Sequence, residues 1–472
     1  MRLTTQRSRA RRRAGVWLVT LELLALALPL SAGAAPGDLD TSFGGDGAEV
    51  LVSDPDVRTT VALDAAVQPD GKVVAVGSAH GLGLRSSILV VRYNTDGTLD
   101  ASFGGDGVIE AAFGKRSYGE AVALQPDGRI VVVGTSGARF IPEPTSVAVA
   151  RYLPNGDLDR SFAGDGRRTL RFDDIHSLGA DVLIRPDGEI AVLGSTEPIG
   201  PKPLRGRRVT NLLGIAQLKP NGRLDSGFAD DGTRVISFKW FGAGTHGIAT
   251  AFALQGRKVV LGGWWRDRIP VPREVYVALA RVKPDGALDR RFGASGRVLT
   301  QFERANFAED LAVDSTGEIV VVGQAGERGH EHDFVARYTR AGKVDRAFGS
   351  NGVTTVPPGQ SNYGPVPFVP SAVAIQPDQR IVVAGAAVEP GEPFSHESFA
   401  LARLNAEGSI DPSFGGDGMA TYNLSSRGGG DRALGLALDS ASRIIAVGAA
   451  NLPDEHNVYY DRFSLIRVLG GS

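Results

Sequence analysis

The chain has 472 residues, with 51 basic against 53 acidic side chains, 62 glycines and no cysteine. A hydrophobic share of 42% with 22% charged residues describes a folding chain, not a disordered one. The lack of cysteine excludes a disulfide framework, thiolate metal sites, a cysteine nucleophile and a lipid-bearing cysteine anchor.

The first 34 residues read separately. Arg2, Arg7, Arg9, Arg11, Arg12 and Arg13 make a basic start, 16–30 is largely apolar, and Ala32-Gly33-Ala34 is a small-residue cleavage pattern. That order predicts a signal peptide over 1–34, too short for a comfortable membrane span. Glu22 opposes insertion, the arginines match a twin-arginine signal only in part, and a basic cytoplasmic tail is the competing reading. Cleavage removes six Arg and one Glu and leaves 45 basic against 52 acidic residues, a net charge of −7. Such a surface disfavours general nucleic-acid binding, which needs a concentrated basic face. No later stretch has the length and apolarity to span a bilayer, and no sorting tail is expected at 470–472. A secreted or envelope protein is expected.

From residue 35 a single phrase recurs. "LDTSFGGDG" at 39–47 returns as "LDASFGGDG", "LDRSFAGDG", "LDSGFADDG", "LDRRFGASG", "VDRAFGSNG" and "IDPSFGGDG". Its phenylalanines are Phe43, Phe103, Phe162, Phe228, Phe292, Phe348 and Phe414. The mean interval is about 62 residues, a propeller-scale period. Each unit predicts four strands, illustrated by the unit that contains Phe162. Strand one is "AVALQ" at 121–125, and strand two is the β-branched "RIVVVG" at 129–134. Strand three is "VAVARY" at 147–152, and strand four carries the "LDxSFG" phrase. Pro126-Asp127-Gly128 and Pro154-Asn155-Gly156 supply the turns between strands one and two and between three and four. Strands apolar on both faces suit blades stacked around an axis.

The expected fold is therefore all-β: a seven-bladed β-propeller of four-stranded antiparallel blades spanning 35–472. The C-terminal unit stops after strand three, and its missing fourth strand sits near Gly37, so the last blade should join both chain ends. Arg92, Arg151, Arg281, Arg337 and Arg403 each precede an Asp by eight residues, namely Asp100, Asp159, Asp289, Asp345 and Asp411. Centred on a hairpin turn, that spacing sets each pair face to face across the ladder. Gln217 with Asp225 keeps the position without the charge, and Arg467 should meet Asp40 across the closure.

"QPDGKVVAVG" and "VVRYNTDGTLDASFGGDG", with their copies, resemble the bacterial delta-60 repeat family over nearly all of 35–472. The resemblance implies a propeller-like fold and export. It supplies no catalytic residues. The fourth unit departs most, with "LQGRKVV" in place of the Pro-Asp-Gly turn.

Propeller topology places the two–three and four–one connections on one rim, and variable loops on a rigid frame are where function concentrates. Three candidate groups follow. Arg205, Arg207 and Arg208 form a basic patch in the longest two–three connection, read as an anion contact or a solvated loop. Trp240 and Phe241 in a four–one connection, with Trp264, Trp265 and Arg266 in a two–three connection, suit sugar rings or a protein hot spot. A loop mini-core is the alternative. All seven His fall on this rim, and His330, His332 and Asp333 are weak metal candidates. No cofactor is expected.

"GGDGAEV" at 44–50 and "NTDGTLD" at 94–100 resemble calcium loops in part but lack the required acids, so both read as turns. The expected function is a non-enzymatic binding or scaffold propeller, a monomer, contacting an extracellular glycan or envelope protein. The alternative is a propeller hydrolase or lyase using rim His and carboxylates, with or without a metal.

Overall fold

The computed structural model describes residues 34–471 apart from 52–56, 82–84, 115, 138–144, 173–175, 198–211, 239–245, 267–273, 327–330, 362–363, 390–395, 426–429 and 455–457. The expected leader therefore lies outside the described residues, bar Ala34. Residues 35–472 form one compact unit.

That unit is a seven-bladed propeller of four-stranded antiparallel sheets. Blades 1 to 6 occupy 57–111, 117–170, 176–236, 246–300, 306–354 and 368–422 in simple up-and-down order. In blade 7 the strands Arg432–Leu438, Ile444–Pro453 and Tyr459–Val468 are completed by Ala48–Val50. That short strand pairs Ala48 with Ile466 and Val50 with Ser464, and Leu39 bridges Val468. The two chain ends meet where the other blades carry a three–four turn. The Gly37 amide donates to Leu469 O, and the Leu469 amide donates to Asp38 O, both at 2.9 Å.

Seven apolar clusters hold the ring, one per blade interface. Val131 and Val133 of blade 2 pack on Val182 and Val192 of blade 3, while Ile130 and Val132 face Val74 and Val76 of blade 1. Strand two is thus buried on both faces, which explains its unbroken β-branched run. The closing interface repeats the pattern, with Phe43, Val447 and Phe463 of blade 7 against Ala62 and Val73 of blade 1.

Strand one carries a β-bulge in every blade, for instance between Ala308 and Asp310. The bulge turns a strand-one carbonyl toward the glycine that ends the strand-two motif. A Cβ on Gly323 would lie 2.0 Å from Phe307 O, and one on Gly77 only 1.8 Å from Val61 O. Glycine is required there for lack of space, although its backbone is ordinary strand.

The "LDxSF" phrase precedes strand four and does not form it. In blade 2 only Leu158 bridges, to Tyr152, and the strand itself is Arg167–Leu170. The intervening residues are turns: Asp159 accepts from the Ser161 amide and hydroxyl, and Gly166 takes a φ of 88°. An Asx turn cannot lie in an extended strand, which corrects the expectation for strand four.

Candidate functional site

The register fixes the two rims. Val57 pairs with Gly81 and His80 with Ser86, so the four–one and two–three connections share one side, called the upper rim. The lower rim holds the one–two and three–four turns.

On the lower rim the repeated polar residues brace blade to blade. Each of six strand-three arginines donates Nε to its Asp at 2.7–2.9 Å. Each guanidinium lies 4.5–4.9 Å over the phrase's phenylalanine ring. Its Nη1 then reaches a carbonyl of the next blade's three–four turn: Pro154, Pro220, Arg340 and Ala406 in the ordinary blades, Gly470 at the chain ends and Thr95 across the closure. In all seven blades the residue after the phenylalanine adds a backbone bond to the next blade, ending with Gly415 to Pro36 O and Gly44 to Asp96 O.

Blade 3 redistributes this arrangement. Gln217 Nε2 bridges Asp225 at 2.9 Å and Glu189 at 2.6 Å, while the cation moves to Arg185, whose Nη2 donates to Arg257 O at 2.8 Å. Arg185 Nε and Nη1 and Gln217 Oε1 have no hydrogen-bond partner among the described residues.

Along the axis, strand one exposes an unpaired edge. Asp64, Asp181 and Asp310, just past the bulges of blades 1, 3 and 5, cap amides of the following blade: Val122, Phe252 and Val373, at 2.8, 3.2 and 2.7 Å. Each also accepts the amide of the residue after it. Blades 2, 4, 6 and 7 have Ala121, Ala251, Ala372 and Gly435 at this place. These three aspartates are half-buried. Burial raises Asp64 to about 6 and Asp310 to about 7 against the amides that bind them. Burial, then the charges of Asp64 and Asp310, pushes Asp181 well up.

The upper rim is where the blades differ. Its four–one connections rest on fixed anchors: Ser117, Ser177, Asn306 and Asp431 accept the amides of Phe113, Phe172, Phe302 and Leu424. Trp264 and Trp265 belong to the end of the strand Lys258–Arg266, not to the connection after it. Alternation then separates them. Trp265 is 1% exposed and packs on Phe238 at 5.5 Å, whereas Trp264 meets Phe307 edge-on at 5.3 Å near the surface. Arg266 ends the strand, half-buried. Trp240, Phe241, Arg205, Arg207, Arg208 and His330 lie outside the described residues.

His332 Nε2 lies 2.9 Å from Glu303 Oε1. The Asp333 carbonyl and then the Glu303 carboxylate hold its pKa above the usual imidazole value. Asp333 points inward to accept the Val356 amide at 2.6 Å, and burial lifts its pKa to about 6. His176 Nδ1 accepts the Thr145 amide at 2.8 Å. Among the described residues no three His, Asp or Glu side chains gather as a metal-holding group.

A second aromatic and charged sector was not legible in the sequence. Blade 7's middle hairpin pairs from Ile444 with Val468 up to Pro453 with Tyr459, ten pairs against seven in blade 2. Near its tip Val458 and Tyr459 are exposed. Below them Asn451 Nδ2 donates to Asp461 at 3.0 Å, and Arg432 lies 3.4 Å from Asp461 and 3.7 Å from Glu397. Blade 1 brings His80, whose ring is 5.7 Å from Tyr118.

A family model for a β-propeller domain of unknown function, DUF5122, matches residues 68–103, 125–162 and 376–414. Among solved structures, polysaccharide lyase Uly1 aligns at 11% identity and TM-score 0.50, covering 93% of this chain and 98% of its own. A catalytically inactive virginiamycin B lyase from Staphylococcus aureus aligns at 12% and 0.44, covering 89% and 98%. The β-propeller domain of the Trilobed protease from Pyrococcus furiosus aligns at 13% and 0.42, covering 88% and 97%. At these identities the likeness is one of fold alone. No curated protein matches the chain. What the fold and comparisons define is thus a class, a β-propeller repeat protein.

Proposed function

We propose that this chain is an exported propeller, of the delta-60 type that its repeats resemble, which binds an extracellular glycan or envelope protein through its upper rim without catalysis. The observation that carries the reading is a contrast between the rims. The lower rim spends its repeated charges on neighbouring blades, while the upper rim bears aromatic and charged groups that differ from blade to blade. Loops held by a rigid frame are suited to recognition. Export is supported by the basic and apolar leader and by a compact unit beginning at Ala35, whose amide donates to Asp38 at 2.7 Å.

The test is a glycan array with an envelope-protein pull-down, using the intact protein. Trp264→Ala and Tyr459→Ala are expected to weaken capture, and Arg257→Ala on the lower rim to leave it unchanged. Equal capture by all three would remove the upper rim as the binding surface. Intact mass of protein recovered from culture fluid should place the first residue at Ala35. A full-length mass there would contradict leader cleavage.

A further inference from the structure

Resting on that reading of the upper rim, a more specific site emerges at the seam where the chain ends meet. Blade 7's hairpin has ten paired positions, against nine in blade 6 and eight in blade 1, and one face of it is turned to blade 1. Phe463 on that face packs into the core shared with Ala62 and Val73, so Asp461 and Tyr459, two and four residues earlier, share its side. Asn451 sits directly across from Asp461. This wall therefore presents, from the rim outward, a carboxylate and amide already bonded to each other and then an exposed tyrosine.

His80 of blade 1, whose ring lies 5.7 Å from Tyr118 of blade 2, is within electrostatic reach of Asp461. Burial lowers the His80 pKa, against the pull of Asp461. Arg432 closes the inner end, held by Asp461 and Glu397. The formal charges here are one cation against two carboxylates, so the seam repels an anionic polymer. An aromatic face beside a carboxylate, an amide and a guanidinium is the chemistry that stacks on a sugar's C–H face and bonds neighbouring hydroxyls. The polar groups already hold one another, so little side-chain entropy is lost when a ligand replaces water.

We propose that the seam between blade 7 and blade 1 binds a neutral saccharide, with Tyr459 as the stacking plate and Asn451, Asp461 and Arg432 as hydroxyl partners.

The test uses the intact protein on an array of neutral and uronic-acid-bearing oligosaccharides, followed by titration calorimetry with the best neutral binder. Tyr459→Ala and Asp461→Asn should each weaken that binder by roughly tenfold or more, with an unchanged melting temperature showing that the fold is intact. Rescue by Tyr459→Phe separates stacking from a hydroxyl contact. Three results overturn the proposal: normal affinity in both variants, preference for the anionic glycans, or no neutral glycan bound. If Trp264→Ala removes binding while the seam variants retain it, the seam is wrong and the rim reading survives. If none of these substitutions matters, both fail.

Discussion

Arg403 shows how much one side chain carries in this molecule. It is fully buried, its Nε pairs with Asp411 at 2.8 Å, its Nη2 meets Ser413 at 3.0 Å, its face covers Phe414 at 4.8 Å, and its Nη1 reaches Gly470 O at the far end of the chain. Removing one partner of a buried pair leaves the other charge unmet, so Arg403→Ala should cost about 3–5 kcal/mol in urea unfolding. Arg403→Lys should recover little, because one ammonium cannot serve a carboxylate, a hydroxyl and a carbonyl in a fixed plane. Blade 3 offers a complementary experiment. Arg185→Gln and Gln217→Arg should each destabilise, and the double variant should recover stability by recreating the arrangement of blades 2 and 4. Additive losses in that cycle would show that the two positions are not exchanging one role. The eight-residue Arg–Asp spacing was legible because a tight turn fixes register. The blade 3 exchange was legible only in half: Gln217 stood out, but Arg185 is 32 residues away and reads as a turn residue until the strands are paired.

At the scale of the strand, the bulge organises both the packing and the titration of the ring. Gly323→Ala would drive a methyl into the Phe307 carbonyl and should cost about 3 kcal/mol. The three axial aspartates predict the pH dependence. Their folded pKa values are raised, so the folded state holds more protons than the unfolded chain, whose carboxyls titrate near about 4. Their contribution is complete below that value and is lost as pH rises through about 6 for Asp64 and about 7 for Asp310. Asp289 behaves oppositely. Burial opposes its charge, but the Lys258 ammonium, the Arg291 amide and the Arg281 guanidinium together hold it down to about 2. Its contribution is present above about 4 and is lost as pH falls toward 2. Together these groups place the stability maximum near about 4, with a decline as pH rises through about 6 and about 7. Asp64→Asn, Asp181→Asn and Asp310→Asn combined should flatten the decline. An unchanged slope would assign it elsewhere. These acids escaped sequence reading because they occur in alternate blades, and a bulge leaves no mark in a strand's alternation. Trp265 escaped for a related reason: the strand runs further than its apolar run suggests, and carries that ring into the core.

For the whole molecule, the fold was legible because each interface repeats the same few residues, and the closure because one unit lacked a strand that the chain's other end supplied. The rim chemistry was less legible, since it depends on which hairpins rise and which strands lie side by side. Tyr459 and Asp461 look unremarkable until blade 7 is seen to stand beside blade 1. Ring closure is the claim on which the rest stands, because it sets every neighbour relation, including the seam. Its most direct test is thermal unfolding of the protein lacking residues 35–51, with and without a synthetic peptide of that sequence added in trans. The closed ring predicts loss of the cooperative transition and its recovery on adding the peptide. A truncated protein that melts like the intact one, indifferent to the peptide, would contradict it.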